Sequence, residues 1–134
     1  MASEEEILAW QRQSPFNTTV GLQVVETGQG TAILRLPLAE AVENRKGNIH
    51  GGAIATLADA AMGFAIRAAR DELYALSTIS MTVNYLAPAT GDLTATARCT
   101  KFGRSISFAT VDILGADGKL VASGTGAFKV LKAS

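Results

Sequence analysis

Residues 51 to 66 read GGAIATLADAAMGFAI, and Asp59 is the only ionisable side chain among them. Wound at 3.6 residues per turn, this stretch carries apolar or small residues on every side, and a helix without a polar face is buried all round. The segment is too short to span a bilayer, and an acid near its middle is costly in lipid. It therefore predicts a buried core helix over Gly51–Ala69. Whatever else the chain builds must cover that helix from several directions.

The remaining segments have the period to do so. Val20, Leu22 and Val24 alternate with polar or small neighbours, and after the turn TGQG so do Ala32, Leu34, Leu36 and Leu38, which predicts a β-hairpin. The polar stretch AEAVENRKGN then reads as a surface loop leading into the helix. Beyond the helix, residues 75–86, 92–102, 105–114 and 119–131 alternate again, separated by APATGD, FGR and GADGK. Connections this short force antiparallel neighbours. At the other end, Ser3 followed by Glu4, Glu5 and Glu6 reads as an N-cap with acids in a first helical turn, so a short helix to about Gln11 is expected. The order is short helix, two strands, long helix, four strands. A lone helix cannot hide all its faces on a flat sheet, so the expected fold is α+β, a curved antiparallel sheet wrapped around one long central helix, with a second copy of the chain covering what stays open. No repeat or linker interrupts the sequence, and residues 1–134 are read as a single domain, with 1–14 as the short helix and lead-in.

Composition narrows the function classes. The chain of 134 residues is 48% hydrophobic and 18% charged, a soluble globular balance. Twelve basic against twelve acidic residues leave no net charge, which speaks against broad capture of nucleic acid or of an anionic membrane. A single cysteine, Cys99, excludes an intrachain disulfide and a cysteine-rich metal site, and reads as a small core residue. The opening MASEEEILAW is acidic where a secretory signal is basic, so a cytoplasmic protein is expected.

A constellation then stands out: Asn44, Gly47, His50-Gly51-Gly52, and LAD ending at Asp59, nine residues after the histidine. With NYLAP at 84–88, GD at 91–92 and GRS at 103–105, it resembles the hotdog-fold acyl-CoA thioesterases of the phenylacetic-acid-degradation type, over about residues 15 to 131. The resemblance implies the hotdog fold and the hydrolysis of acyl-CoA to free acid and coenzyme A. It also implies no metal and no resident cofactor, coenzyme A being part of the substrate. Members are dimers, often paired into tetramers, with sites at the subunit interface.

The residues can be read chemically beside that resemblance. Gly51 and Gly52 lie where a helix begins, so their N–H groups could receive a thioester oxygen; alternatively they only permit a tight turn. Asp59 is the candidate nucleophile or general base, its burial being the warrant; alternatively it is a paired structural carboxylate, for instance with Arg67. Gly51 and Asp59 stand eight positions apart, roughly 12 Å along one helix. Groups acting on one carbonyl must approach to about 3 Å, so the two must come from different subunits, across a twofold axis. By resemblance, Asn44 and His50 join Gly51 around the thioester, although His50 could equally serve to shape the loop. A Ser-His-Asp triad is disfavoured because no nucleophile elbow is present. Counting from YLAP, the resemblance places Thr78 where relatives orient the attacking water, but threonine is also an ordinary strand residue. Arg104 and Lys101, with Arg45 and Lys46, are candidates for the coenzyme A phosphates or are simply solvated charges. Leu57, Met62, Phe64 and residues near Phe16 are the expected pocket walls, compatible with aryl-acetyl or medium-chain acyl groups. The rival readings are a hotdog hydratase or dehydratase acting on acyl thioesters, and a non-catalytic acyl-CoA-binding module.

Overall fold

The computed structural model describes residues 5, 14–70 and 74–132. Of the helix expected at Ser3–Gln11, all but Glu5 lies outside the described residues. The described chain runs through helix α1 at Pro15–Val20, strands β1 (Gln23–Gly28) and β2 (Thr31–Leu36), a short 3-10 turn at Glu40–Val42, and the long helix α2 (Gly51–Arg67). Strands β3 (Tyr74–Tyr85), β4 (Leu93–Lys101), β5 (Ile106–Gly115) and β6 (Leu120–Lys132) complete the order. Helix α1 was not anticipated, yet its punctuation is in the sequence. Ser14 caps it, Pro15 begins it with a φ already suited to a helix, and Gly21 ends it in the left-handed region at φ 96°. That stop is why β1 starts at Gln23 rather than at Val20.

All six strands join one antiparallel sheet in the order β1-β2-β4-β5-β6-β3. The chain leaves β2, forms α2, crosses to the far edge as β3, and returns to place β4 beside β2. Six strands laid flat span about 24 Å, whereas a helix with its side chains is about 10 Å wide. Nevertheless α2 meets every strand of the sheet. Only a strongly curved sheet allows this, and the arrangement is the hotdog fold expected from the sequence.

Small residues permit the close wrap. A Cβ on Gly126 of β6 would stand 3.1 Å from the Met62 methyl on α2 and 2.9 Å from the Phe128 ring. Leu34, Leu36, Leu93 and Ile113 from the sheet are fully buried against Leu57, Met62 and Ile66 of the helix.

The helix is not buried all round, however. Gly52, Thr56, Asp59, Gly63 and Arg67 keep partial or full exposure, while the positions between them are largely buried. Their spacing traces one narrow open stripe, the face the concave sheet does not reach. Leu57 and Met62, expected as pocket walls, lie off that stripe with no exposed surface, on flanks of the helix packed into the core. No helix among the described residues is long and apolar enough to cross a membrane.

Truncation of Leu57 therefore tests packing rather than substrate contact. Leu57→Ala is expected to cost about 2–5 kcal/mol in urea denaturation while leaving KM for any substrate close to the wild-type value. A raised KM with unchanged stability would place Leu57 in the pocket after all.

Candidate active site

Asp59 lies mid-helix on the open stripe and is half-buried rather than sunk in the core. Its partner is Thr78 of β3, whose hydroxyl donates to the Asp59 Oδ1 at 2.6 Å. The two groups sit at a cleft of about 120 Å³ lined by Ser14, Asn17, Ala60, Gly63, Phe64, Leu76 and Phe128. Phenyl and leucyl groups form its apolar wall, Ala60 and Gly63 leave room beside the carboxylate, and α1 supplies the polar rim. Phe64 thus stands where a pocket wall was expected. Phe16 itself is mostly exposed, and its neighbour Asn17 is the α1 residue that faces the cleft.

The start of α2 is a second cluster. Ile49 N–H donates to the Ala89 carbonyl at 2.9 Å and His50 N–H to that of Val42 at 2.7 Å. His50 is the N-cap, and its Nδ1 accepts from Gly52 N–H at 2.8 Å. An accepting Nδ1 is bare, so the neutral ring carries its proton on Nε2. Ala53 and Ile54 both donate back to the His50 carbonyl, at 2.9 and 3.1 Å. Among the described residues, Gly51 N–H alone in this turn has no acceptor. The expected pair of glycine donors is therefore reduced to one, because capping by His50 occupies the second. The Gly51 carbonyl in turn accepts from the Tyr85 hydroxyl at 2.9 Å.

Asn44 serves its own loop. Its Oδ1 accepts from the N–H groups of Lys46 and Asn48 at 2.9 and 3.1 Å, an Asx turn that leaves only the side-chain NH2 to face elsewhere. Lys101 and Arg104 are exposed at the end of β4 and in the β4–β5 turn, and neither lines the Asp59 cleft. That turn is held by Ser107, fully buried, whose Oγ accepts from Gly103 N–H at 3.0 Å. A third base stands beside it, Lys129, which donates to the Ser105 hydroxyl at 2.6 Å. Lys101 also borders a separate hollow of about 580 Å³ at the C-terminal end of α2, with Cys99, Phe102 and Arg70, whose guanidinium lies 4.8 Å above the Phe102 ring.

Sequence reasoning missed Leu76, Tyr85 and Phe128, and reached Asn17 only as a residue near Phe16. The NYLAP landmark contains Tyr85, but only its contact with Gly51 gives it a role. Cys99, half-buried on β4, has its thiol pushed up by burial, against smaller lowering effects from the Lys101 backbone and Arg70. A raised thiol pKa leaves little thiolate near neutrality. Alkylation of Cys99 by iodoacetamide is therefore expected to be slow at pH 7.5 and to accelerate only above the ordinary thiol range. Rapid labelling at neutral pH, read by mass spectrometry, would contradict the burial.

A half-open cleft bearing a carboxylate–hydroxyl pair, and a capped helix start with one free backbone donor, sit on a sheet-wrapped helix that defines a hotdog-fold protein. The family described as a domain of unknown function, DUF4442, matches residues 7–130. Human acyl-coenzyme A thioesterase 13 is 31% identical over 124 residues, which span 90% of this chain and 88% of that protein. A thioesterase family protein from Silicibacter pomeroyi superposes with a TM-score of 0.87 at 26% identity, covering 95% of this chain and 96% of that one. The Escherichia coli PaaI protein, from the phenylacetic acid degradation operon, superposes with a TM-score of 0.86 at 21% identity over 97% and 94% of the two chains, a likeness of fold. The chain belongs to this hotdog thioesterase family and is a thioester hydrolase.

Proposed function

We propose that the chain hydrolyses acyl-CoA thioesters, aryl-acetyl or medium-chain, to the free acid and coenzyme A, with Asp59 as general base and Gly51 N–H as the donor to the thioester oxygen. The observation that carries this reading is the Asp59–Thr78 pair at the apolar cleft. With Oδ1 held by the threonine hydroxyl, Oδ2 is the oxygen left to take a proton from water. The water oxygen bonds to the acyl carbon, the carbonyl oxygen takes up negative charge at Gly51 N–H, and the C–S bond then breaks with the electron pair leaving on sulfur. The proton held by Asp59 goes to that thiolate. A backbone donor of this kind stabilises the charged intermediate by about 3–4 kcal/mol. No metal or resident cofactor enters the scheme.

The apolar wall formed by Phe64, Leu76 and Phe128 beside Asp59 supports an apolar acyl group. His50 acts here through the cap it makes on Gly52, and Asn44 through its remaining NH2, which we assign to the thioester region. We assign Lys101 and Arg104, with Lys129 beside them, to the phosphates of coenzyme A. Gly51 and Asp59 lie roughly 12 Å apart on one helix, so both can serve one thioester only across two chains. A homodimer with composite sites, paired again into a tetramer in the cytoplasm, is the assembly we propose. Exposed Ile79, Tyr85 and Leu86 along and beyond the edge strand β3 support a partner on that side.

Asp59→Asn is expected to lower kcat for thiol release by about 100-fold or more, with the fold intact by circular dichroism. Undiminished turnover would remove Asp59 from the chemistry, and binding of acyl-CoA by the wild type without any thiol release would favour the non-catalytic module. Single turnover in ¹⁸O water is expected to label only the released acid; label in the Asp59 carboxylate would indicate direct attack instead.

Gly51→Pro offers a clean deletion of the N–H. Position 51 is the first helical residue, where proline is favoured, and His50 at φ −61°, ψ 140° already has the backbone a following proline requires. This variant is expected to fold and to be inactive, yet mixed with Asp59→Asn subunits to regain a fraction of wild-type activity. Mixed dimers that stay inactive would refute the composite site.

A further inference from the structure

Thr78 and Tyr85 both turn toward α2 from the same strand, one to Asp59 and the other to Gly51. They are seven positions apart, and on a regular strand residues separated by an odd number face opposite sides. The pairing of β3 with β6 resolves the conflict. It slips by one residue between Thr78 and Ser80, leaving Ile79 without a partner, half-exposed. Before the slip Leu76 and Thr78 border the cleft, and after it Met81 and Val83 pack on the core while Tyr85 reaches the start of α2. A bulge of this kind re-aims side chains at the expense of one unpaired residue.

Tyr85 meets one particular peptide unit. The Gly51–Gly52 peptide accepts from the Tyr85 hydroxyl through its carbonyl at 2.9 Å and donates through its N–H to His50 Nδ1 at 2.8 Å. A Cβ on Gly51 would stand 3.5 Å from the Tyr85 ring, so the ring lies over the glycine as well. Glycine has no side chain to restrict its φ and ψ, and its N–H is aimed only as well as its two flanking peptides are held. The peptide before Gly51 is held by Ala53 and Ile54, which donate to the His50 carbonyl; the one after it is held by Tyr85 and His50.

We propose that Tyr85 is a positioning residue for the thioester, clamping the Gly51–Gly52 peptide opposite His50 so that Gly51 N–H points in one direction. This rests on the hydrolase reading for its purpose but not for its geometry. Tyr85→Phe, which keeps the ring and removes the donor, is expected to raise the exchange rate of the Gly52 amide about fivefold in NMR, with the Leu57 and Ala58 amides of the same helix unchanged. For an acyl-CoA that the wild type turns over, kcat is expected to fall by a similar factor with KM unchanged. Unaltered Gly52 exchange would overturn the clamp, and faster exchange with unaltered kcat would overturn its role in turnover. Because exchange is read without substrate, failure of the clamp is distinct from failure of the hydrolase reading, which would appear as no thiol release by the wild type.

Discussion

One helix held in the curve of one sheet is the constraint on which everything else in this structure depends. Contact between α2 and all six strands obliges the sheet to bend, and the bend obliges side chains at the contact to be small, as at Gly126 against Met62. It also decides what is left open. A sheet can enclose most of a cylinder but not its whole circumference, so a stripe of α2 remains uncovered, and Asp59 lies on that stripe. The carboxylate is thus kept at the boundary between core and solvent by the geometry of the wrap, and Thr78 supplies the hydrogen bond that a half-buried oxygen requires.

The start of the same helix is organised by a different economy, that of hydrogen-bond donors. A helix begins with N–H groups lacking intrahelical acceptors. Here His50, Val42 and Ala89 take up those around Gly51, and the single donor left over is the one the proposed chemistry uses. In this turn, among the described residues, the backbone N–H groups are satisfied at every position but Gly51. In the proposed scheme His50 acts without touching substrate, since the imidazole that caps Gly52 is also what makes Gly51 the remaining donor.

Much of this was readable in the sequence, and the misses have identifiable causes. Period-two alternation located four strands after the helix to within two residues at each end, because their inward and outward faces differ sharply in polarity. The Gly51 start of α2 was set by the change from a polar loop to an apolar run. The helix phase was not readable, for the reason that made the helix conspicuous: with apolar residues on every side, nothing distinguishes the sheet-facing Leu57 and Met62 from the cleft-lining Ala60, Gly63 and Phe64. Helix α1 was hidden by its short length, although Ser14, Pro15 and Gly21 punctuate it. The roles of Tyr85 and Phe128 are set by strand pairing across the sheet, which no local pattern encodes.

The unpaired Ile79 carries a consequence for how such a chain can vary. Between Thr78 and Tyr85 the strand counts residues as well as placing them, and the single slip against β6 sets the parity of that count. Substitutions in this interval can be absorbed one at a time according to what each side chain touches. A gain or loss of one residue cannot, because it would turn either the Asp59 contact or the Gly51 contact to the outside of the sheet. Over this segment, related sequences should therefore drift freely in composition while their length stays fixed.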